Sequence, residues 1–187
     1  MKLLHLDSAI TGDASVSRRL TTDIVSKLKA ADPSLAITYR DLASDPRDHF
    51  TLAAAAEADA PDSALAQFLA ADIVVIGAPM YNFAVPSQLK AWIDRILVAG
   101  RTFRYGETGA VGLAGDTRVI VAIARGNRYA RGAPAAGQEH TENWLRTIFG
   151  FIGITPEFVI AEGVLLGPDA KDAAMAEARA SIDALAA

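Results

Sequence analysis

The chain contains no cysteine. Disulfides, thiolate nucleophiles, cysteine-ligated zinc and iron–sulfur clusters are therefore excluded. No apolar run approaches the about 18 residues of a membrane span, so no membrane association is expected. Positive charge is not in excess: 18 lysines and arginines face 22 aspartates and glutamates, a net charge of −4. Nucleic-acid binders more often carry a basic face, and none is expected as a partner. The histidines His5, His49 and His140 share no metal-like spacing, and no metal is expected. Neither G-x-x-x-x-G-K-S/T nor G-x-G-x-x-G occurs, and no serine sits in a G-x-S-x-G elbow. The phosphate-loop, dinucleotide and serine-hydrolase signatures are thus missing. Met1–Asp7 already includes Lys2, His5 and Asp7, which leaves no signal-peptide core and points to a cytoplasmic protein.

What is present suits one α/β domain over residues 1–187, of which 51% are hydrophobic and 21% charged. Area scaling for this length buries roughly 70% of the chain's surface, enough for a core without staples. Leu3–Leu6 reads as a first strand, and Leu20, Ile24, Val25 and Leu28 as the apolar stripe of a helix that stops at Asp32-Pro33. Ala36–Tyr39 reads as a short second strand. Ser44–Asp62 is polar, alanine-rich and punctuated by Pro46 and Pro61; it reads as an insertion with a short helix over Leu52–Asp59. Ser63–Ala70 reads as helix, and Ile73-Val74-Val75-Ile76-Gly77 is the clearest strand. Consecutive β-branched residues without polar alternation belong to a strand covered on both faces, as in a parallel sheet. A helix from about Pro86 to Val98, stopped at Gly100, precedes a polar, glycine-rich Thr102–Gly112 that suits a hairpin. Val119–Ala124, His140–Phe151, Phe158–Ala161 and Asp169–Leu185 complete the series as strand, helix, strand and helix. The alternation implies a flavodoxin-like, doubly wound, five-stranded parallel sheet of order 2-1-3-4-5.

In such a sheet ligands bind beyond the carboxyl ends of the strands, at the switch point between the first and third. That rule selects Asp7–Ser17, Gly77–Pro86 and Ala124–Gly137. The first loop offers the hydroxyls of Ser8, Thr11, Ser15 and Ser17 beside a helix start whose free amides and dipole suit a phosphate. Plain N-capping by Ser15 or Asp13 accounts for the same residues. The second loop exposes Met80, Tyr81, Asn82 and Phe83, a surface for a flat conjugated ligand or a patch packed under the insertion. In the third, Gly126 and Asn127 follow a buried strand; both tolerate positive φ and close backbone approach, or simply end the strand. Trp92, in the stripe Leu89, Trp92, Ile93 and Ile96, reads first as core.

The run Ala78-Pro79-Met80-Tyr81-Asn82-Phe83, the blocks Pro86–Asp94 and Ala99–Tyr105, and Glu107-Thr108-Gly109 belong together. With Leu145-Arg146-Thr147, Phe149–Thr155 and Ala161-Glu162-Gly163, they resemble the FMN-dependent NADH-azoreductase family, also described as NADH:quinone oxidoreductases. The resemblance covers most of the chain outside the insertion. It implies a homodimer with non-covalent FMN in each subunit. Ser8, Ala9, Ser15, Val16 and Ser17 match the family's phosphate loop. Met80, Tyr81, Asn82 and Phe83 match the segment flanking the flavin ring, and Ala124, Arg125, Gly126 and Asn127 a second ring-binding loop. Tyr105 and Phe151 match positions that wall the substrate pocket across the dimer. The family often has a second serine at Ala9, a serine at Ala124 and a glycine at Asn127; these departures bear on FMN affinity and substrate range. The implied reaction moves two electrons, as a hydride, from NADH through flavin N5 to quinones or azo compounds in ping-pong fashion. No side chain is then required as nucleophile, because the chemistry is the cofactor's. A flavodoxin-type electron carrier without NADH turnover is the alternative.

Overall fold

The computed structural model describes residues 1–56, 58 and 60–186. The elements in chain order are β1 (Lys2–Asp7), α1 (Val16–Ala31), β2 (Ala36–Asp41), α2 (Leu52–Ala56), α3 (Ala64–Leu69) and β3 (Ile73–Pro79). They continue with α4 (Ser87–Ile96), β4 (Phe103–Gly106), β5 (Gly109–Gly112), β6 (Arg118–Arg125), α5 (Thr141–Phe151), β7 (Glu157–Glu162) and α6 (Pro168–Ala184). The main sheet has the order β2-β1-β3-β6-β7, all pairs parallel. This is the flavodoxin-like order expected from the sequence. β4 and β5 form a separate antiparallel hairpin.

Every residue of β3 is buried, as its unbroken apolar run requires for a strand between two helix layers. Alternation along the strands divides the core in two. Leu4, Leu6, Val74, Ile76 and Ala78 face one side with Phe68, Leu89, Trp92, Ile93 and Phe149. Leu3, Ile73, Val75, Ile120 and Ala122 face the other with Leu20, Ile24, Ala174, Ala178 and Ile182. Trp92 is core, edge-on to Phe68 with ring centroids 6.1 Å apart. Helix starts follow local chemistry: Ser15 accepts from the Arg18 amide at α1, and Ser63 from the Ala66 amide at α3.

The differences from the sequence reading are small and physical. β2 runs two residues further, to Asp41, because it continues to pair with β1 at Asp7. α4 ends at Ile96 instead of Val98, where the Thr102 hydroxyl donates to the Ile96 carbonyl and accepts from the Val98 amide. The short helix of the insertion spans Leu52–Ala56; Asp59 lies outside the described residues. The hairpin is fastened to the end of α5. A Cβ added at Gly112 would lie 2.1 Å from the Gly153 nitrogen, and the Ala114 amide donates to the Ile152 carbonyl over 3.0 Å.

Candidate functional site

The carboxyl ends of β1, β3 and β6 bring the three selected loops together. Beyond β1, the buried Ser8 donates its hydroxyl to the Gly77 carbonyl over 2.6 Å, which ties the loop to β3. A single 3₁₀ turn over Gly12–Ala14 then leads into α1. Ser15 caps that helix, and its hydroxyl lies 3.1 Å from that of Ser17. The amides of Val16 and Ser17 stand in the first turn, where no helical carbonyl reaches them, and the positive end of the dipole adds to them.

Arg18 faces away from this turn. Its guanidinium donates to Asp41 at 2.6 Å, to the Ala9 carbonyl at 2.8 Å and to the Tyr39 hydroxyl at 2.9 Å. The hydrogen bond to Asp41 raises the Arg18 pKa above its ordinary value, against the opposing effect of burial. Burial also opposes ionisation of Asp41, but bonds from Arg18 and the Ala43 and Ser44 groups hold its carboxyl below the usual range. Buried Asp7 completes the cluster, accepting from Thr21 at 2.9 Å and Tyr39 at 3.2 Å.

Beyond β3, the Met80 amide donates to the Ala124 carbonyl, and Tyr81 and Ala84 exchange a pair of backbone hydrogen bonds. The two residues between them, Asn82 and Phe83, have φ of 49° and 69°. This is the geometry of a tight primed turn. Phenylalanine adopts it only under strain, and such strain gathers at functional sites. Phe83 remains 46% exposed, so it is not packed under the insertion. The Tyr81 hydroxyl accepts from the Ile10 amide at 3.2 Å, joining this loop to the first.

Beyond β6, positive φ occurs at neither Gly126 nor Asn127. Gly126 serves a different purpose: a Cβ there would meet Leu165 Cδ1 at 2.8 Å. The Arg125, Gly126 and Asn127 carbonyls accept from the amides of Val164, Leu165 and Gly163, respectively. The Arg125 side chain is only 2% exposed and lies among Glu142 at 2.7 Å, Glu139 at 3.2 Å and Glu162 at 3.5 Å. Glu139 accepts the first amides of α5, from Thr141, Glu142 and Asn143, and Glu162 those of Tyr129 and Ala130. Arg125 therefore fastens the loop between β6 and α5 from behind.

Two cavities meet at Tyr81. The smaller, about 270 Å³, is lined by Thr11, Ala14, Ser15, Val16, Pro79, Met80, Tyr81, Ala124, Gly126, Val164, Leu165 and Lys171. The larger, about 850 Å³, lies on the α4 and α5 side, with Ile10, Asn82, Val85, Pro86, His140, Asn143, Trp144 and Lys90 among its walls. No carboxylate lines either cavity among the described residues, and the charged groups on their walls are cationic. Such a donor set, first-turn amides and hydroxyls at one end and Tyr81 and Trp144 at the other, fits a molecule with a phosphate and a flat conjugated ring.

Of the residues singled out from sequence, Ser15, Val16, Met80, Tyr81, Ala124 and Gly126 line the smaller cavity, and Asn82 lines the larger. Ser8, Ala9, Ser17, Phe83, Arg125 and Asn127 sit in the same loops without lining either cavity. Tyr105 and Phe151 lie apart. Both pack against Phe103, Tyr105 edge-on and Phe151 tilted, with centroids 5.5 and 4.6 Å away, and Tyr105 is 75% exposed. Sequence reasoning missed the loop beyond β7, which contributes Val164 and Leu165, and the first turns of α5 and α6. The apolar run Val164-Leu165-Leu166 directly after Gly163 is the signal available.

The family model described as a flavodoxin-like fold matches residues 1–186. The FMN-dependent NADH:quinone oxidoreductase of Xanthomonas campestris pv. campestris is 54% identical over 202 aligned positions, spanning 99% of each chain. FMN-dependent NADH:quinone oxidoreductase 2 of Bradyrhizobium diazoefficiens is 55% identical over 192 positions, 95% of each. Among solved structures, an FMN-dependent NADH-azoreductase from Bacillus anthracis in complex with FMN superposes with a TM-score of 0.84 at 26% identity, covering 100% of this chain and 99% of that one. The chain belongs to the flavodoxin-like family, and within it to the group of the FMN-dependent NADH:quinone oxidoreductases.

Proposed function

We propose that this chain, acting as one domain over residues 1–187, is an FMN-dependent oxidoreductase that uses NADH to reduce quinones and azo compounds. The observation that carries the proposal is the meeting of three loops at the carboxyl end of the sheet around a pair of cavities that no carboxylate lines among the described residues. The similarity to NADH:quinone oxidoreductases and azoreductases favours an enzyme over an electron carrier.

FMN, when bound, supplies the two-electron chemistry between nicotinamide donor and acceptor. The residues of this chain bind and orient. The Val16 and Ser17 amides and the Ser15 hydroxyl hold the phosphate end, with Ser8 and Ala9 shaping the loop behind them. Met80 and Tyr81, carried into the strained turn at Asn82 and Phe83, would flank the ring at the ends of β3 and β6. Ala124 and Gly126 would contribute the wall of the smaller cavity beyond β6, on a segment held in place by Arg125. No carboxylate among the described residues lines either cavity, so negative charge on a bound flavin would meet no acidic side chain from them. Tyr81 and Trp144 on the walls of the larger cavity offer aromatic faces to flat acceptors.

The working form is a homodimer in the cytoplasm. Tyr105 and Phe151 line neither cavity of their own chain. Tyr105, exposed beside Phe103 and Phe151, suits a wall for the site across that dimer. The test is steady-state NADH oxidation by FMN-loaded protein with a quinone and then an azo dye. Parallel double-reciprocal lines, from one cavity used in turn by donor and acceptor, support the proposal. No NADH oxidation with either acceptor overturns it.

A further inference from the structure

The phosphate end of the smaller cavity is short of side-chain charge from the loop that builds it. Ala9 offers no hydroxyl, and the Ser8 hydroxyl donates to the Gly77 carbonyl. Of the two arginines at the start of α1, Arg18 is directed to Asp41, Tyr39 and the Ala9 carbonyl, and Arg19 is exposed and lines neither cavity. A doubly charged phosphate at α1 would therefore meet amides and a helix dipole but no cation from this loop.

The cation comes from another helix. α6 packs beside α1 and runs in the same direction, and three contacts fix the register. Arg179 pairs with Asp23 at a separation of 156 residues. Lys27 donates to the Ile182 and Asp183 carbonyls at separations of 155 and 156. The same offset carried back to the start of α1 sets Lys171 abreast of Ser15 and Val16. Lys171 indeed lines the smaller cavity together with those two residues. It is half-buried, and no carboxylate among the described residues lies within ion-pair distance of it. Lys90, on the wall of the larger cavity, is by contrast paired with Asp94 at 2.6 Å. Asp169, in the first turn of α6, is exposed and does not line the cavity.

We propose that Lys171 is the charged arm of the phosphate cradle and makes the site select a phosphorylated flavin over an unphosphorylated one. The inference rests on the FMN reading given above. Parallel packing of α1 and α6 sets two helix N-termini side by side at the cavity, and a lysine reaching in from the second supplies the point charge that the first lacks. The function lost from the loop at Ala9 is thereby carried by a residue more than 150 positions away in the chain.

The experiment is titration of flavin-free protein with FMN and with riboflavin, followed by quenching of flavin fluorescence, in wild type, Lys171→Gln and Lys171→Arg. Riboflavin affinity reports whether the rest of the site is intact. Lys171→Gln is expected to weaken FMN binding by about tenfold, the size of one partly exposed charge-assisted contact, and to leave riboflavin binding unchanged. Lys171→Arg is expected to restore most of the loss, and added salt to weaken FMN binding less in Lys171→Gln than in wild type. Unchanged FMN affinity in Lys171→Gln overturns the inference, as does an equal loss for both flavins. Wild-type protein that takes up neither flavin overturns the FMN reading itself, and this inference with it.

Discussion

Replacing Arg125 by methionine removes a buried cation that three carboxylates share. The guanidinium is 2% exposed and lies 2.7 Å from Glu142, 3.2 Å from Glu139 and 3.5 Å from Glu162. Breaking a buried ion pair from one side costs about 3–5 kcal/mol, because the other charge is left uncompensated. The lower end applies here, since each carboxylate keeps other partners. Glu139 retains three backbone amides, Glu162 two, and Glu142 the guanidinium of Arg146. A loss of about 3 kcal/mol corresponds to about 6–12 °C in Tm for a chain of this size. The pH dependence gives a second reading. Burial disfavours ionised Glu142, yet hydrogen bonds from Arg125 and Arg146 hold its carboxyl below the ordinary 4.5. A depressed folded pKa adds stability that is present above the unfolded value and is lost as pH falls through the folded one. The gap between wild type and Arg125→Met should therefore be widest near neutrality and narrow below pH 4.5. Urea melts at pH 7 and pH 4 measure both effects. A difference under about 1 kcal/mol at pH 7, or a gap that widens in acid, would refute the reasoning.

Gly112→Ala should destabilise the protein by about 3 kcal/mol, since its Cβ would sit 2.1 Å from backbone at Gly153, which cannot yield as a side chain can; thermal melting checks this. Gly126→Ala meets the flexible end of Leu165 at 2.8 Å, so Tm should change little while FMN binding weakens as Leu165 shifts on the cavity wall. Flavin titration beside a melt separates the two effects.

The sheet was legible because its strands are unambiguous. Ile73–Ile76 and Val119–Ala124 have no polar residue to alternate with, and burial on both faces leaves one fold class. The switch-point rule then located the three loops without any detail of their conformation. Conformation is less legible. Of the two readings open at Gly126 and Asn127, the structure has the plain strand end, and positive φ falls at Asn82 and Phe83, between the exchanged hydrogen bonds of Tyr81 and Ala84. The burial of Arg125 was equally hidden. Its partners Glu139, Glu142 and Glu162 lie on a loop end, a helix and a strand, and no local pattern connects them. Lys171 was invisible for the same reason, because its place depends on the register of α6 against α1.

The central claim is tested most directly by an anaerobic absorbance spectrum. The protein is loaded with FMN, desalted, and given one equivalent of NADH. The account predicts that the visible flavin band survives desalting, is bleached at once by NADH, and returns on addition of a quinone. A retained flavin that stays oxidised in the presence of NADH, or a protein that holds no flavin after desalting, would contradict it.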